Sequence, residues 1–96
     1  LISFDIAFDF NQVDRRKLGG FEYHAYECMI KNHKEEAAEI HFDHGIWGVW
    51  EMVSSTHKYE KTSNLITFTV NVPADSKLQV CFEYRVDRRL HVTIDE

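Results

Sequence analysis

Three residues near the middle of the chain, His41, Asp43 and His44, have side chains of the kind that bind zinc. A zinc site needs at least three such groups that converge on one point. Successive side chains of a β-strand point to opposite faces, so a strand here would separate His44 from His41 and Asp43. Neither Cys28 nor Cys81 has a second cysteine at metal-ligand spacing. We therefore predict no metal site and no other cofactor.

The sequence offers little to nucleophilic or acid–base catalysis. Ser55 and His57 are close in the chain, but a catalytic triad also needs a carboxylate and an oxyanion hole from other parts of the fold. Glu35 and Glu36 fall in a predicted turn, where no pocket would shift their pKa values. Nucleophile-elbow and glycine-rich phosphate-binding motifs are missing from the sequence. We therefore predict that the chain is not an enzyme.

Aromatic residues in or beside predicted loops are the remaining candidates for a binding site. Trp47, His57 and Tyr59 form this group, and exposed aromatic rings of this kind stack on sugars or anchor a partner protein. The alternative is that Trp47 closes one end of the fold while Trp50 belongs to the core, and we expect both. Exposure of Trp47 beside Tyr59 and His57 would favour ligand binding.

The size and charge of the chain limit both its organisation and its partners. It has 96 residues, of which 44% are hydrophobic, and carries 11 Lys and Arg against 16 Asp and Glu, for a net charge of −5. This length gives a single domain over residues 1–96. The acidic balance argues against a nucleic-acid partner, and no apolar run approaches the roughly 18 residues that cross a membrane. A start at Leu1 instead of Met is typical of a domain cut from a longer protein.

Alternating apolar and polar residues predict β-strands through most of the chain. The clearest alternation runs from Leu65 to Val72, and a turn at Pro73 follows it. Residues 12–18 are polar and end at Gly19 and Gly20, where we predict a turn or a mobile loop. A change of phase near His24 and Ala25 predicts a bulge or a strand that switches sheets, and residues 32–36 are predicted to connect a hairpin. Side chains that alternate toward the core in other predicted strands are Phe4, Ile6, Phe8, Phe10, Leu78, Val80, Phe82, Tyr84, Val86, Leu90, Val92 and Ile94.

About seven such strands, with no helical period, predict an all-β fold. An antiparallel β-sandwich of immunoglobulin-like or fibronectin-like type fits this length, and a small Greek-key barrel is the alternative. In such a sandwich Cys28 points inward and Cys81 outward, so we predict two free thiols. The basic runs at Arg15–Lys17 and Arg88–Arg89 are interpreted as solvated edges that discourage aggregation.

The stretch from residue 26 to residue 84 resembles the C-terminal domain of unknown function found in mucoidy-inhibitor-A-like proteins. A strand of the pattern Tyr-Glu, apolar, Lys-Asn, Lys is followed by Trp-Glu, a Ser-His-Tyr-Glu-Lys loop and a strand that closes on Val-Pro-Ala. The matching residues are Tyr26, Glu27, Ile30, Lys31, Asn32, Lys34, Trp50, Glu51, Ser55, His57, Tyr59, Glu60, Lys61, Phe68, Val70, Val72, Pro73, Ala74, Val80, Phe82 and Tyr84. Gly45–Val49 departs from the Pro-Gly-Asp turn that is usual in the family.

The resemblance implies a β-sandwich at the C-terminal end of a longer protein that also contains a helical or coiled-coil segment. It implies no catalytic residue, and it favours an exported or envelope-associated protein. Asn32 and Ser55 would then stabilise turns through hydrogen bonds. The sequence thus predicts a non-catalytic interaction or assembly module whose partner is another protein or another domain of the same chain. The alternative function is a module that binds carbohydrate or an envelope polymer through Trp47, His57 and Tyr59.

Overall fold

The structure, a computed structural model, describes residues 5–89. These residues form seven β-strands and no helix, and so no helix that could span a membrane. The strands are β1 (Ile6–Leu18), β2 (Phe21–Asn32), β3 (Ala38–Gly45), β4 (Trp50–Ser55), β5 (Glu60–Lys61), β6 (Leu65–Val72) and β7 (Ser76–Asp87). The predicted inward position of Phe4 and the predicted last strand through Leu90, Val92 and Ile94 lie outside the described residues.

The strands form two antiparallel sheets. Sheet I has four strands in the order β1-β2-β7-β4, and sheet II has three in the order β3-β6-β5. The prediction of an all-β antiparallel sandwich of about seven strands is therefore confirmed. An immunoglobulin constant domain has its fifth strand beside the second, whereas β7 occupies that place here.

The core lies between the two sheets. Along β2, β6 and β7, every second side chain points toward this core. We call the face of each sheet that contains these side chains the inner face, and the opposite one the outer face. Ile30, Val80 and Phe82 of sheet I meet Phe68 and the other buried residues of sheet II. Cys28 is buried on this face, while Cys81 is half-buried on the other face of sheet I, and both are free. The two free thiols are as predicted.

The first hairpin has the turn that was predicted at Gly19 and Gly20. β1 continues through the polar residues 12–18 to Leu18 and pairs with β2 along its whole length. Neighbouring β2 supplies the backbone partners that override the polar composition. The turn consists of Gly19 and Gly20, whose φ angles of +60° and +83° suit the two central positions of a type I′ turn.

The predicted bulge lies in β1 and not in β2. The register of the two strands shifts between Gln12 and Asp14, so Val13 is the extra residue, opposite Ala25 and Tyr26. An extra residue reverses the facing of all that follow it. Beyond Val13, Arg15 therefore lies on the inner face opposite His24. β2 itself keeps one phase and remains in one sheet.

The segment from residue 33 to residue 37 is not a hairpin connection. It leads from β2 in sheet I to β3 in sheet II, so it crosses from one layer of the sandwich to the other. At this end of sheet I, which we call the asparagine end, Asn32 is only 1% exposed. The opposite end contains the Gly19–Gly20 turn, the end of β7 and the residues before β4, and we call it the arginine end.

Candidate functional site

A buried carboxylate marks the arginine end. Glu22 is 4% exposed, because the phase of β2 turns it to the inner face together with His24. The Arg15 guanidinium donates to Glu22 Oε2 through Nε at 2.8 Å and through Nη2, and Arg88 Nε donates to Oε1 at 3.0 Å. These hydrogen bonds, from Arg15 first and Arg88 second, lower the pKa of Glu22 to about 2. Glu22 is thus held as an anion between two cations.

His24 extends this cluster toward the middle of the inner face. Its Nδ1 lies 2.8 Å from the Gln12 amide nitrogen. His24 Nε2 in turn lies 3.6 Å from Glu22 Oε1. The His24 ring stacks on Tyr84, with centroids 5.3 Å apart. One face of the imidazole thus packs on the core, while its Nε2 edge is directed toward the carboxylate.

Tyr84 and His44 continue the polar row across to sheet II. His44 Nε2 lies 3.1 Å from the Tyr84 hydroxyl, and the rings of His44 and Tyr26 are 4.7 Å apart. Burial raises the pKa of the Tyr84 phenol, and burial followed by the charge of His24 lowers the pKa of His44. Both groups are therefore neutral at neutral pH, and the hydroxyl and imidazole share one hydrogen bond inside the sandwich.

The row from Glu22 to His44 is better suited to stability than to proton transfer. General acid–base catalysis works best when the pKa of the group lies near the working pH, and the arginines move Glu22 far below that range. Within residues 5–89, no three His, Cys, Asp or Glu side chains come together in a way that could hold a metal ion. His41 lies on the outer face of β3 and His44 on its inner face, so the sequence argument about their separation holds.

A cavity opens beside Glu22. It has a volume of about 480 Å³ and is lined by the β1–β2 turn and by cationic side chains. Lys17 lies opposite Glu22 in the register of β1 and β2, and Arg15 and Arg88 complete the basic wall. The remaining lining residues are Leu18, Gly19, Gly20 and Phe21. An acidic chain therefore has a cavity whose surroundings are mainly positive.

Trp47 does not close the end of the sandwich, and that expectation was wrong. Ile46 takes the buried position instead, and its N–H donates to the carbonyl of Asn64 at 2.9 Å. The next side chain along the extended connection therefore points away from the core. Trp47 is 85% exposed and Val49 is 70% exposed. Both lie at the arginine end, where the Asp87 N–H donates to the Val49 carbonyl.

The three predicted ligand-binding residues lie at two levels of the fold. Trp47 precedes Trp50, which pairs with Val86, whereas His57 follows Ser55, which pairs with Phe82. Val86 and Phe82 are four residues apart on β7, so the levels of Trp50 and Ser55 are separated by roughly 13 Å, at about 3.3 Å per residue. Tyr59 lies 6.3 Å from the Phe68 ring, centroid to centroid. Tyr59 lines a second cavity, of about 540 Å³, with Lys58, Glu60, Thr67 and Thr69.

The motif residues Trp50, Ser55 and Asn32 have the structural contacts predicted for them. Trp50 packs on the core, and its Nε1 donates to the Ser63 carbonyl at 2.9 Å. Ser55 Oγ donates to the His57 carbonyl at 2.7 Å. Asn32 Nδ2 donates to three carbonyls, of Glu36, Val72 and Pro73, at 3.0 to 3.1 Å, while its Oδ1 accepts from the Lys34 N–H at 2.9 Å.

Sequence reasoning missed the cluster around Glu22. The signal was present in β2, because counting back in steps of two from Cys28 leads through Tyr26 and His24 to Glu22. A carboxylate at an inward position needs a partner. Arg15 and Arg88 are those partners, and they are not the purely solvated edge residues that were predicted.

The fold and the cavity define the chain as an all-β antiparallel sandwich with a cationic cavity at one end. No family model, no curated protein and no solved structure matches it. The resemblance to the mucoidy-inhibitor-A-like C-terminal domain therefore stays a prediction from the sequence, and the function has to be argued from the surface itself.

Proposed function

We propose that this chain is a non-catalytic interaction module of a larger protein and that its contact surface is the arginine end. The observation that carries the proposal is the exposure of two large apolar side chains, Trp47 and Val49, which are separated in the chain only by Gly48. An exposed tryptophan has no benefit for folding and is a frequent anchor in protein interfaces.

The surroundings of Trp47 and Val49 support the same function. Leu18, at the β1–β2 turn, is also largely exposed. Arg88 Nη1 lies 3.9 Å from the point that a side chain at Gly48 would occupy, so the cationic cavity adjoins the exposed loop. Tryptophan and arginine are the residue types that contribute most to binding at interfaces, and lysine and glutamate are depleted there.

The partner that this surface fits is a protein or another domain of the same longer chain. The net charge of −5 argues against nucleic acid. The resemblance to the mucoidy-inhibitor-A-like domain also implies neighbouring domains, and an exported or envelope location.

The test compares partner recovery by the full-length protein with and without the apolar side chains. Affinity purification is carried out with the unchanged protein, with the double variant Trp47→Ala, Val49→Ala, and with the control Val13→Ala, which removes an exposed apolar side chain from the middle of β1. We expect the double variant to lose most of the partner and the control to retain it. Equal recovery by all three proteins would refute this function.

A carbohydrate-binding function is the second candidate, and the cavity beside Tyr59 favours it. Sugar sites combine an aromatic face with hydroxyl and charged groups, and Tyr59 is accompanied there by Thr67, Thr69 and Glu60. Trp47 and His57 do not line this cavity. A glycan array probed with the chain and with Tyr59→Ala tests this candidate. Binding that the substitution abolishes would support it, and a blank array would exclude it.

A further inference from the structure

All five arginines of the chain lie at the arginine end, and their pairing is uneven. Arg16 lies 2.8 Å from Asp14 Oδ2 and 2.9 Å from Glu83 Oε2. Arg85 lies 2.6 Å from Glu51, and Arg89 lies 2.7 Å from Asp87. Each of these three has at least one carboxylate of its own. Arg15 and Arg88, in contrast, share Glu22.

Lys17 increases the excess of positive charge in the cavity. It lies opposite Glu22 in the strand register and lines the cavity with both arginines. No residue of the described range 5–89 accepts a hydrogen bond from its ammonium group. Three cations against one carboxylate leave the cavity with a charge of +2, although the whole chain carries −5.

Glu22 fixes the two guanidinium groups without using all their donors. Arg15 binds Glu22 through Nε and Nη2, and Arg88 binds it through Nε. The Nη1 group of Arg15 and both Nη groups of Arg88 have no hydrogen-bond acceptor among residues 5–89. More than half of each arginine side chain is exposed. Donors that are held in place and open to solvent are preorganised to receive an oxyanion.

We propose that this cavity binds the carboxylate of a peptide, which rests on the function proposed above and specifies the chemistry of the partner. A guanidinium matches a carboxylate with two parallel hydrogen bonds. The volume of about 480 Å³ exceeds that of one carboxylate, so the cavity also has room for the adjoining part of the peptide, against Leu18 and the glycine turn. The carboxylate comes either from a chain terminus or from an acidic side chain.

Two peptide pairs, followed by amide chemical shifts in ¹H–¹⁵N spectra, test the proposal. The first is N-acetyl-glycyl-glycyl-leucine against its C-terminal amide, and the second is N-acetyl-glycyl-glutamyl-glycinamide against its glutaminyl analogue. We expect saturable shifts at Lys17, Gly19 and Gly20 with a carboxylate peptide and none with its neutral counterpart. The pair that responds identifies the source of the carboxylate.

Variants that change the charge of the cavity in opposite directions distinguish binding in the cavity from nonspecific electrostatic attraction to the protein surface. Glu22→Gln removes the internal anion but keeps an amide oxygen that accepts from the guanidinium groups, so the carboxylate peptide should bind roughly tenfold more tightly. Lys17→Gln removes a cation and should weaken binding roughly two- to fivefold, as expected for one exposed charge pair. The control Lys77→Gln changes the same charge at the asparagine end and should leave the affinity unchanged.

Three results would overturn the proposal. They are the absence of shifts around the turn, an equal loss of affinity in Lys17→Gln and Lys77→Gln, and saturation by inorganic phosphate when neither carboxylate peptide binds. Loss of partner recovery in the Trp47→Ala, Val49→Ala protein is a separate measurement. If the protein recovers its partner through Trp47 but binds neither carboxylate peptide, the proposed interaction function stands and the proposed carboxylate site is wrong.

Discussion

The two ends of strand β2 each bury one polar side chain, and they satisfy it in different ways. Asn32 is neutral, and all of its hydrogen bonds described here are to backbone groups of neighbouring turns. Glu22 is an anion, and its partners are Arg15 and Arg88, whose side chains are more than half exposed. A backbone partner is fixed by the fold and uncharged, whereas the pairing of a carboxylate with arginines depends on its ionisation and on competing anions.

The difference indicates that the two ends of β2 have different roles, one in connecting the sheets and one in lining a cavity. At the asparagine end, a single amide joins the end of β2, the 33–37 connection and the turn at Pro73, so sheets I and II are connected there. At the arginine end, the same strand contributes a charge whose partners also line a cavity. We therefore expect the asparagine end to respond to substitution only, and the arginine end to respond also to pH and to anions.

The largest effect is expected for Asn32→Ala. The substitution removes one buried hydrogen bond, to the Val72 carbonyl, and three part-buried ones, to Glu36, Pro73 and Lys34. The loss of a partner by a buried polar group costs about 1 to 3 kcal/mol. We expect the free energy of unfolding to fall by about 3 kcal/mol in urea titrations, by the same amount at pH 7 and pH 3. Asn71→Ala, on the exposed face of the neighbouring strand β6, is the control. A loss below about 1 kcal/mol would contradict the role assigned to Asn32.

The second effect, for Glu22→Gln, should depend on pH. The folded-state pKa of about 2 lies below the unfolded value of about 4.3. The stabilisation from the ionised carboxylate is therefore complete above the unfolded pKa and is lost as the pH falls from about 4 toward 2. We expect Glu22→Gln to cost about 2 kcal/mol at pH 7, reduced from the full linkage value because the arginines are exposed.

The measurement for Glu22 is a pair of urea titrations at pH 7 and pH 2.5. The gap between the unchanged chain and Glu22→Gln should be largest at pH 7 and small at pH 2.5. A gap that stays constant with pH would mean that Glu22 acts only through packing, as Asn32 does, and the contrast between the two ends would disappear.

Elements specified by local sequence patterns could be predicted, whereas the cluster at the arginine end could not. Strand β6 was predicted with its observed bounds, Leu65–Val72, because every second residue of it is apolar. Turn residues such as Asn32 were assigned by local chemistry. Each of these two signals is contained in a few neighbouring residues of the chain.

The arginine cluster depends on a feature that local patterns do not contain. Without the extra residue at Val13, Arg15 would lie on the outer face, away from Glu22. The position of a bulge is set by the pairing of β1 with β2, and Arg88 is more than 60 residues from Glu22 in the sequence. The phase of β2 therefore indicates a buried carboxylate, but its partners are found only in the folded chain.

A smaller effect is expected at His44, which lies between the two ends. Burial and the charge of His24 lower its pKa in the folded state, so its neutral form is favoured. The stability that this provides is complete above the ordinary value of about 6.5 and is lost as the pH falls below it. We expect the chain to lose stability between pH 7 and pH 5, and His44→Phe to remove that part of the slope.

The control for His44 is His41→Gln, which alters the exposed face of the same strand. We expect it to leave the slope between pH 7 and pH 5 as it is in the unchanged chain, measured by urea unfolding at half-unit intervals. If His44→Phe and the unchanged chain have the same slope, the burial of His44 does not contribute to the pH dependence of stability in this range.

The smallest effect on stability is expected for Trp47→Ala. This variant tests whether Trp47, at the arginine end, contributes to the stability of the fold or only to binding. The side chain is 85% exposed, so its removal should change the free energy of unfolding by less than about 0.5 kcal/mol. Trp50→Ala removes a ring that packs on the core and should cost about 3 kcal/mol. Thermal melts of the two variants make the comparison. A large loss from Trp47→Ala would mean that this ring supports the fold, and that the loss of the partner by the double variant Trp47→Ala, Val49→Ala follows from unfolding.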